Sequence, residues 1–434
     1  MSAIDARVLG AFAPLVDART GVIERVEVVR LGESDPEVFM AHAEPSDTRP
    51  LSGLPAANRG AACSASFERA VVRACGESVE RYCSAFCDIG GLTLATAEEL
   101  EASGGRPVPP ERLYPFSDAQ YAAAGFPFER TRGRRLRWVE ARSAATGDLV
   151  WLPASCVFVP YLFDHAVEPF THMPISTGLA AGRDVDGCIA KGILEILERD
   201  ALMIVWHNRL TTERIDVRSC AGRTDLIDTL LSAGDRAGSR WHLNLLTLDV
   251  DVPVVGAALI DESSPPLTSF GISADPDPER ALLLALEEAA LTRVLVNRMP
   301  AAQEEREVAP DSLTTLHDHL VAHASSPRLR DRLRFLTDRG PLRSFTEVAE
   351  RFSSHASVEE RVAAAGLEAI WVDVTTADVA ELGFRVVRTA MPGLQPLDND
   401  HRYRHLGGAR LRSVPRALGR RPRRLANPDP HPFP

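Results

Sequence analysis

The sequence predicts an α/β fold of the α+β kind, with mixed sheets and amphipathic motif helices, and three observations predict it. Strand-like runs are dispersed among helices rather than gathered into two autonomous halves. Three well-separated segments combine helical apolar spacing with carboxylates. At 434 residues, 45% hydrophobic and 25% charged, the chain can bury a large core.

The elements follow in order. In the N-terminal part, 1–57, the run GVIERVEVVRL alternates enough for an edge strand, and a polar loop follows through Pro45, Asp47 and Pro50. The core, 58–434, opens with Ser66 to Cys87, where Phe67, Ala70, Val71, Ala74, Cys75, Val79 and Tyr82 fall at helical spacing. Arg106 to Glu111 is a proline-rich surface loop, and Leu136 to Ser143 with Leu149 to Val159 form a hairpin around Thr146-Gly147-Asp148. Ile175 to Asn208 begins with a small-residue loop, Ser176 to Gly182, that lets backbone approach closely, and continues as a helix from about Asp186. Trp241 to Ile260 gives two strand-like runs, and Phe270 and Gly271 lead into a third helix, Pro278 to Asn297. Gln303 to Ala365 is charged, helical and expected at the periphery; Leu367 to Val374 and Phe384 to Thr389 are late strands. No short-period repeat is evident.

On the central helix Lys191, Glu195 and Glu198 fall at i, i+4 and i+7 and share one face. Two carboxylates and an ammonium suit a hard cation and phosphate oxygens, although a salt-bridged solvent face would carry the same pattern. The pattern recurs: Glu77-Ser78-Val79-Glu80-Arg81 has the E-x-x-E-R form of Glu195 to Arg199, and the third helix carries Glu287-Glu288 and then Arg293. Arg81 and Arg199 could serve phosphate or pair with their own helix glutamates. Lys191 is the single lysine among the 49 basic residues, either a partner for Glu195 or a point charge beside phosphate.

Several chemistries are excluded. There is no G-x-x-x-x-G-K-[ST], no G-x-G-x-x-G after a strand, no H-E-x-x-H and no G-x-S-x-G. Seven cysteines show no C-x-x-C pair, and their odd number points to free thiols. A net charge of -11 argues against nucleic-acid binding. His401 to Arg424 is strongly basic all the same, either a solvated tail or a segment docked on acidic surface. No membrane span and no signal peptide is read, so the cytoplasm is expected.

At these residues the chain resembles the YcaO family. STGLAAG followed by LEILERDA and Trp206, together with PLVDARTGVIERVE, GESVERY, ALEEAALTR and MPGLQPLDNDHRYRHLGGARL, is similar to that family nearly end to end. The terminal Pro430-His431-Pro432-Phe433-Pro434 is similar to the PxPxP of its azoline-forming members. The resemblance implies a YcaO-like fold and two cofactors, ATP and Mg²⁺. Glu77, Glu80, Glu195, Glu198 and Glu288 would hold metal, while Glu77, Glu80, Lys191, Glu198 and Arg293 would serve the nucleotide. Pro430, Pro432 and Pro434 would belong to the catalytic pocket, as a stiff extended end that the basic run docks on an acidic surface. Two positions depart from the family pattern: Arg73 stands where a serine is common, and Leu291 where a glutamine is.

The implied activity is ATP-dependent cyclodehydration of Cys, Ser or Thr in a ribosomal precursor peptide to thiazoline or oxazoline. The alternatives are a thioamide- or amidine-forming YcaO enzyme and a non-catalytic nucleotide-binding scaffold. The chain starts within the YcaO-like region, so a separate leader-binding partner, ThiF-like or similar, is expected. A flavin-dependent azoline oxidase could follow, and a homodimer is expected.

Overall fold

The computed structural model describes residues 4–32, 35–56, 58–236 and 238–433. Ala57, at the expected boundary of the N-terminal part, and Pro434, the last proline of the terminal motif, lie outside them. Strands and helices interleave along the whole chain, and the strands build three sheets. The first is an antiparallel meander of β1 (Ile23–Val28), β2 (Phe39–Pro45) and β3 (Gly60–Ser64). As expected for GVIERVEVVRL, β1 is its edge. The expected loop before Pro50 is shorter than anticipated, because Phe39 to Pro45 is already strand.

The second sheet contains β4 (Thr93–Ala95), β5 (Leu136–Ser143), β6 (Leu149–Pro153), β7 (Leu179–Gly182), β13 (Ile370–Asp373) and β14 (Arg385–Ala390). Its order is β4-β5-β13-β14-β7, with β6 paired to β5 in the expected hairpin. The third sheet runs β11-β10-β9-β8-β12, from β8 (Glu213–Ile215), β9 (Arg240–Leu245), β10 (Val254–Ile260), β11 (Thr268–Ala274) and β12 (Leu342–Arg343). The β8–β12 pair is parallel and makes this sheet mixed.

The three motif helices, Phe67–Ser84, Val185–Asn208 and Pro278–Val296, follow β3, β7 and β11. Each starts on a side-chain cap that satisfies an orphan backbone N–H: Ser66 for Arg69, Asp184 for Gly187, Asp277 for Glu279. Six residues before each cap stands a glycine, at Gly60, Gly178 and Gly271. A Cβ at Gly60 would lie 2.1 Å from the Ala74 carbonyl oxygen, and one at Gly271 would lie 2.4 Å from the Ala289 nitrogen. Only glycine lets strand and helix backbones come so close.

Seventeen residues after each glycine comes a motif glutamate: Glu77, Glu195 and Glu288. The fold therefore contains a three-fold repeat of strand, glycine, cap, helix and carboxylate, spaced too widely along the chain to show as a short period. The same alignment places Arg73 of the first helix opposite Lys191 of the central one, each four residues before its glutamate.

Apolar faces of these helices build the core. Ala70, Val71, Ala74 and Val79 pack with Val150, Leu152 and Val386 of the second sheet. Ile193, Leu197 and Met203 meet Phe270, Ile272 and Val387 between the second and third sheets. Ala281, Ala285 and Ala289 lie with Leu243, Val255 and Ala257. The 303–365 region is not peripheral throughout, since its helix Leu316–Ser325 buries His319, Leu320 and His323. Burial of that helix is what holds the chain's end, described below.

Candidate functional site

The three motif helices border one cavity of about 820 Å³. Glu77, Glu80, Glu195, Glu198, Glu288 and Lys191 all line it, as do Arg73, Arg81, Arg199 and Leu291. Five carboxylates from three helices thus share one space, although more than a hundred residues separate the first pair from the second.

Each glutamate is fixed by a backbone amide. Glu77 accepts from Ala61 at 2.9 Å and Glu288 from Ile272 at 2.7 Å. Glu195 accepts from Gly178 at 2.6 Å, Glu80 from Ala181 at 2.7 Å and Glu198 from Ala274 at 3.2 Å. One carboxylate oxygen is thereby committed to the protein. The second oxygens of Glu77 and Glu195 face the arginine one turn on, at 2.9 Å to Arg81 and 2.6 Å to Arg199. The own-helix pairing of both arginines is therefore the one the structure shows. Glu80, Glu198 and Glu288 keep their second oxygens without a protein partner among the described residues, on a cavity wall.

Burial makes these three hard to ionise. It pushes Glu80 up to about 8, with the Glu77 and Glu195 charges adding to the shift. Glu198 is raised well above the usual carboxylate range by burial and then by Glu288, and burial pushes Glu288 up to about 7. A bound cation would remove that penalty. Among the described residues no three His, Cys, Asp or Glu side chains converge into a preformed metal cage. Mg²⁺ needs no such cage, since it takes one or two carboxylates and completes its shell with water and substrate phosphates.

The remaining expected residues divide. Lys191 is not paired to Glu195; its ammonium donates to the Ala181 carbonyl at 2.9 Å on the cavity wall. Arg73 also lines the cavity, but it is bound by the fully buried Glu287 carboxylate, which also takes Ser64 and, at 3.4 Å, Arg69. Arg293 requires a correction. It is 3% exposed, donates to the carbonyls of Leu259 (at 3.1 Å) and Pro266, and does not border the cavity. Its guanidinium satisfies strand-end carbonyls between β10 and β11 and is not directed at a nucleotide.

The last described residues, 429–433, are buried. Four successive carbonyls accept ring N–H donors: Pro428 from His401 at 2.9 Å, Asp429 from Trp206 at 2.8 Å, Pro430 from His323 at 2.9 Å and His431 from His319 at 3.2 Å. Proline offers only carbonyls, and each of these rings turns one N–H toward a carbonyl of the segment. Pro430 and Pro432 are buried in this clamp, and beyond them Phe433, 1% exposed, brings its ring to the cavity wall, 5.9 Å from the Arg199 guanidinium.

The basic run docks on acid, as expected, while the terminal segment itself docks with the opposite charge. Asp429 of the terminal segment meets Arg328 at 2.7 Å and Arg332 at 3.5 Å, so a carboxylate docks on basic surface. In the basic run itself Arg410 does find acid, bridging Asp200 and Asp249 at 2.7 Å each. The clamp's histidines went unassigned in the sequence; the i, i+4 pair His319 and His323 on one helix was the signal available.

Among the described residues no helix is long and apolar enough to cross a membrane. The chain is 28% identical over 274 residues to an uncharacterized protein of Methanothermobacter thermautotrophicus, spanning 61% of this chain and 67% of that one. Its fold matches a heterocyclase solved in complex with substrate and cofactor, with a TM-score of 0.78 at 22% identity, over 99% of this chain and 57% of that one. The chain thus spans little more than half of that heterocyclase. It also matches the YcaO protein of Methanopyrus kandleri bound with AMPPCP and Mg²⁺, with a TM-score of 0.60 at 23% identity, over 86% of each chain. The family model described as YcaO cyclodehydratase, ATP- and Mg²⁺-binding, matches residues 61–395, which contain all three motif helices. The ring of carboxylates around one cavity is therefore that of a chain belonging to the YcaO family, with ATP and Mg²⁺ as its cofactors.

Proposed function

We propose that this chain is the ATP-dependent cyclodehydratase subunit of a peptide-modifying system. A Cys, Ser or Thr side chain of a precursor peptide adds to the preceding backbone carbonyl carbon. The resulting oxygen leaves as phosphate after phosphoryl transfer from ATP, giving thiazoline or oxazoline. The observation that carries this reading is the set of three carboxylates, Glu80, Glu198 and Glu288, each tethered by one oxygen and unpartnered at the other, around a single cavity.

When bound, Mg²⁺-ATP supplies the phosphoryl group and the positive charge that offsets its oxygens. The chain's own residues do the positioning. Carboxylates drawn from Glu80, Glu198 and Glu288 would hold the metal, one or two to each ion, with Glu77 and Glu195 orienting Arg81 and Arg199 beside it. Lys191 and Arg73 add positive charge on the wall. Phosphoryl transfer depends chiefly on alignment and charge stabilisation, so no protein nucleophile is needed. Phe433 and the clamped end close one side and limit water, which would otherwise hydrolyse ATP.

A separate leader-binding protein would deliver the peptide. The test is direct: purified chain, that partner, Mg²⁺-ATP and a Cys-containing precursor should give one water lost per heterocycle by mass spectrometry, with phosphate release. ATP hydrolysis without water loss from the peptide would remove the azoline reading.

A further inference from the structure

Beside the large cavity lies a second of about 50 Å³, lined by Tyr114, Cys156, Ile175, Arg199, Arg388 and Met391 among others. That exceeds the roughly 10–15 Å³ needed to seat one water, yet it suits nothing larger than a small planar group. Ile175 and Arg199 border both cavities, so whatever occupies the small one sits next to the large one's contents.

Arg388 is out of place for a structural residue. It lies on β14, held in register between Leu179 of β7 and Val372 of β13, and is 3% exposed. Its Nε and Nη1 have no hydrogen-bond partner, and among the described residues no carboxylate lies within ion-pair distance. Its polar neighbour is the Tyr114 phenol. The other guanidinium on this wall, Arg199, is already committed to Glu195 and Thr177. A buried cation without a counter-charge is costly, and such groups are kept where a ligand completes them.

We propose that this cavity binds one carboxylate of the peptide substrate through Arg388. A carboxylate matches the guanidinium in charge and shape and fits the volume, whereas the nucleotide's phosphates have the large cavity. The occupant belongs to the peptide because Ile175 and Arg199 set this pocket against the large cavity; that assignment rests on the function proposed above, while the anion site itself does not.

The test is thermal melting at fixed ionic strength, exchanging chloride for formate. Wild type should gain about 2 °C, saturably, as ligand linkage requires. Arg388→Met and Arg388→Lys should show no formate response. Absence of the effect in wild type, or its persistence in both variants, overturns the site. Inorganic phosphate should act equally on wild type and Arg388→Lys; a phosphate response lost with Arg388 would overturn the carboxylate assignment. Finally, acetyl-Cys-Asp-amide should reproduce the formate shift and acetyl-Cys-Asn-amide should not. If the two peptides behave alike while formate still binds, the link to the peptide falls and the nucleotide reading of the large cavity is untouched.

Discussion

Glu80 and Lys191 meet on one residue: the carboxylate accepts the Ala181 amide at 2.7 Å and the ammonium donates to the Ala181 carbonyl at 2.9 Å. They come from different helices and fix strand β7, which lines the cavity, from both sides. Lys191→Met removes a charge from that wall but no core packing. It should raise the apparent KM for ATP roughly tenfold, the scale of one charged hydrogen bond, with the melting temperature within about 2 °C of wild type. Unchanged kinetics would reduce Lys191 to a tether of strand β7.

Stability should depend on pH in two opposed ways. Burial lowers His323, His401 and His405 to about 4, so their contribution is complete above the unfolded value of 6.5 and is lost as pH falls toward 4. Burial raises Glu288 to about 7 and Glu80 to about 8, so their contribution is complete below 4.5 and lost as pH rises through those values. The metal-free protein should melt highest at about pH 6.5 and lower on both sides. Added Mg²⁺-ATP should raise the melting temperature more at the alkaline end, where carboxylates bind without first losing a proton. A flat profile read by scanning calorimetry would contradict this.

The terminal clamp separates binding from turnover. Replacing His319 and His323 together by alanine removes two of the four donors to the 428–431 carbonyls, each worth about 1 kcal/mol. Turnover should fall at least roughly tenfold while the ATP dissociation constant changes by less than about threefold, and carboxypeptidase trimming should accelerate. Deleting His431 to Pro434 should act in the same direction. Wild-type heterocycle formation in either variant would detach the chain's end from the chemistry.

Arg410 offers a purely structural contrast. It bridges the buried Asp200 to Asp249, and Asp200 also accepts the Gln395 amide at 2.7 Å. Arg410→Ala leaves a carboxylate buried without its cation and should cost about 3–5 kcal/mol in denaturant unfolding. Where enough protein stays folded, KM for ATP should be unaltered.

What the sequence made legible was whatever repeats at the helical period. The three motif helices, the E-x-x-E-R pairs and the β5–β6 hairpin are local patterns, and the fold places them as their spacing implies. The three-fold repeat escaped because its marks are single residues seventeen apart, and because the third copy carries Leu291 and Thr292 where the others carry a glutamate and an arginine. β11 escaped for another reason: buried on both faces, TSFGISA lacks the alternation that signals a strand. Arg293 misled because an arginine after an acidic pair looks the same in sequence whether it meets phosphate or a strand's carbonyls. Arg388 gave no signal, since solitude in a core is a property of space rather than of order along the chain.

The amide tethers have a mechanical consequence. Ala61, Ala181 and Ile272 belong to three different sheets, and each gives its N–H to a cavity carboxylate. A cation held by Glu80 and Glu288 would therefore act as a keystone, loading the second and third sheets against one another. Filling the site would be felt in both sheets, as slower amide hydrogen exchange at the β7 and β11 edges, where strands would otherwise breathe independently.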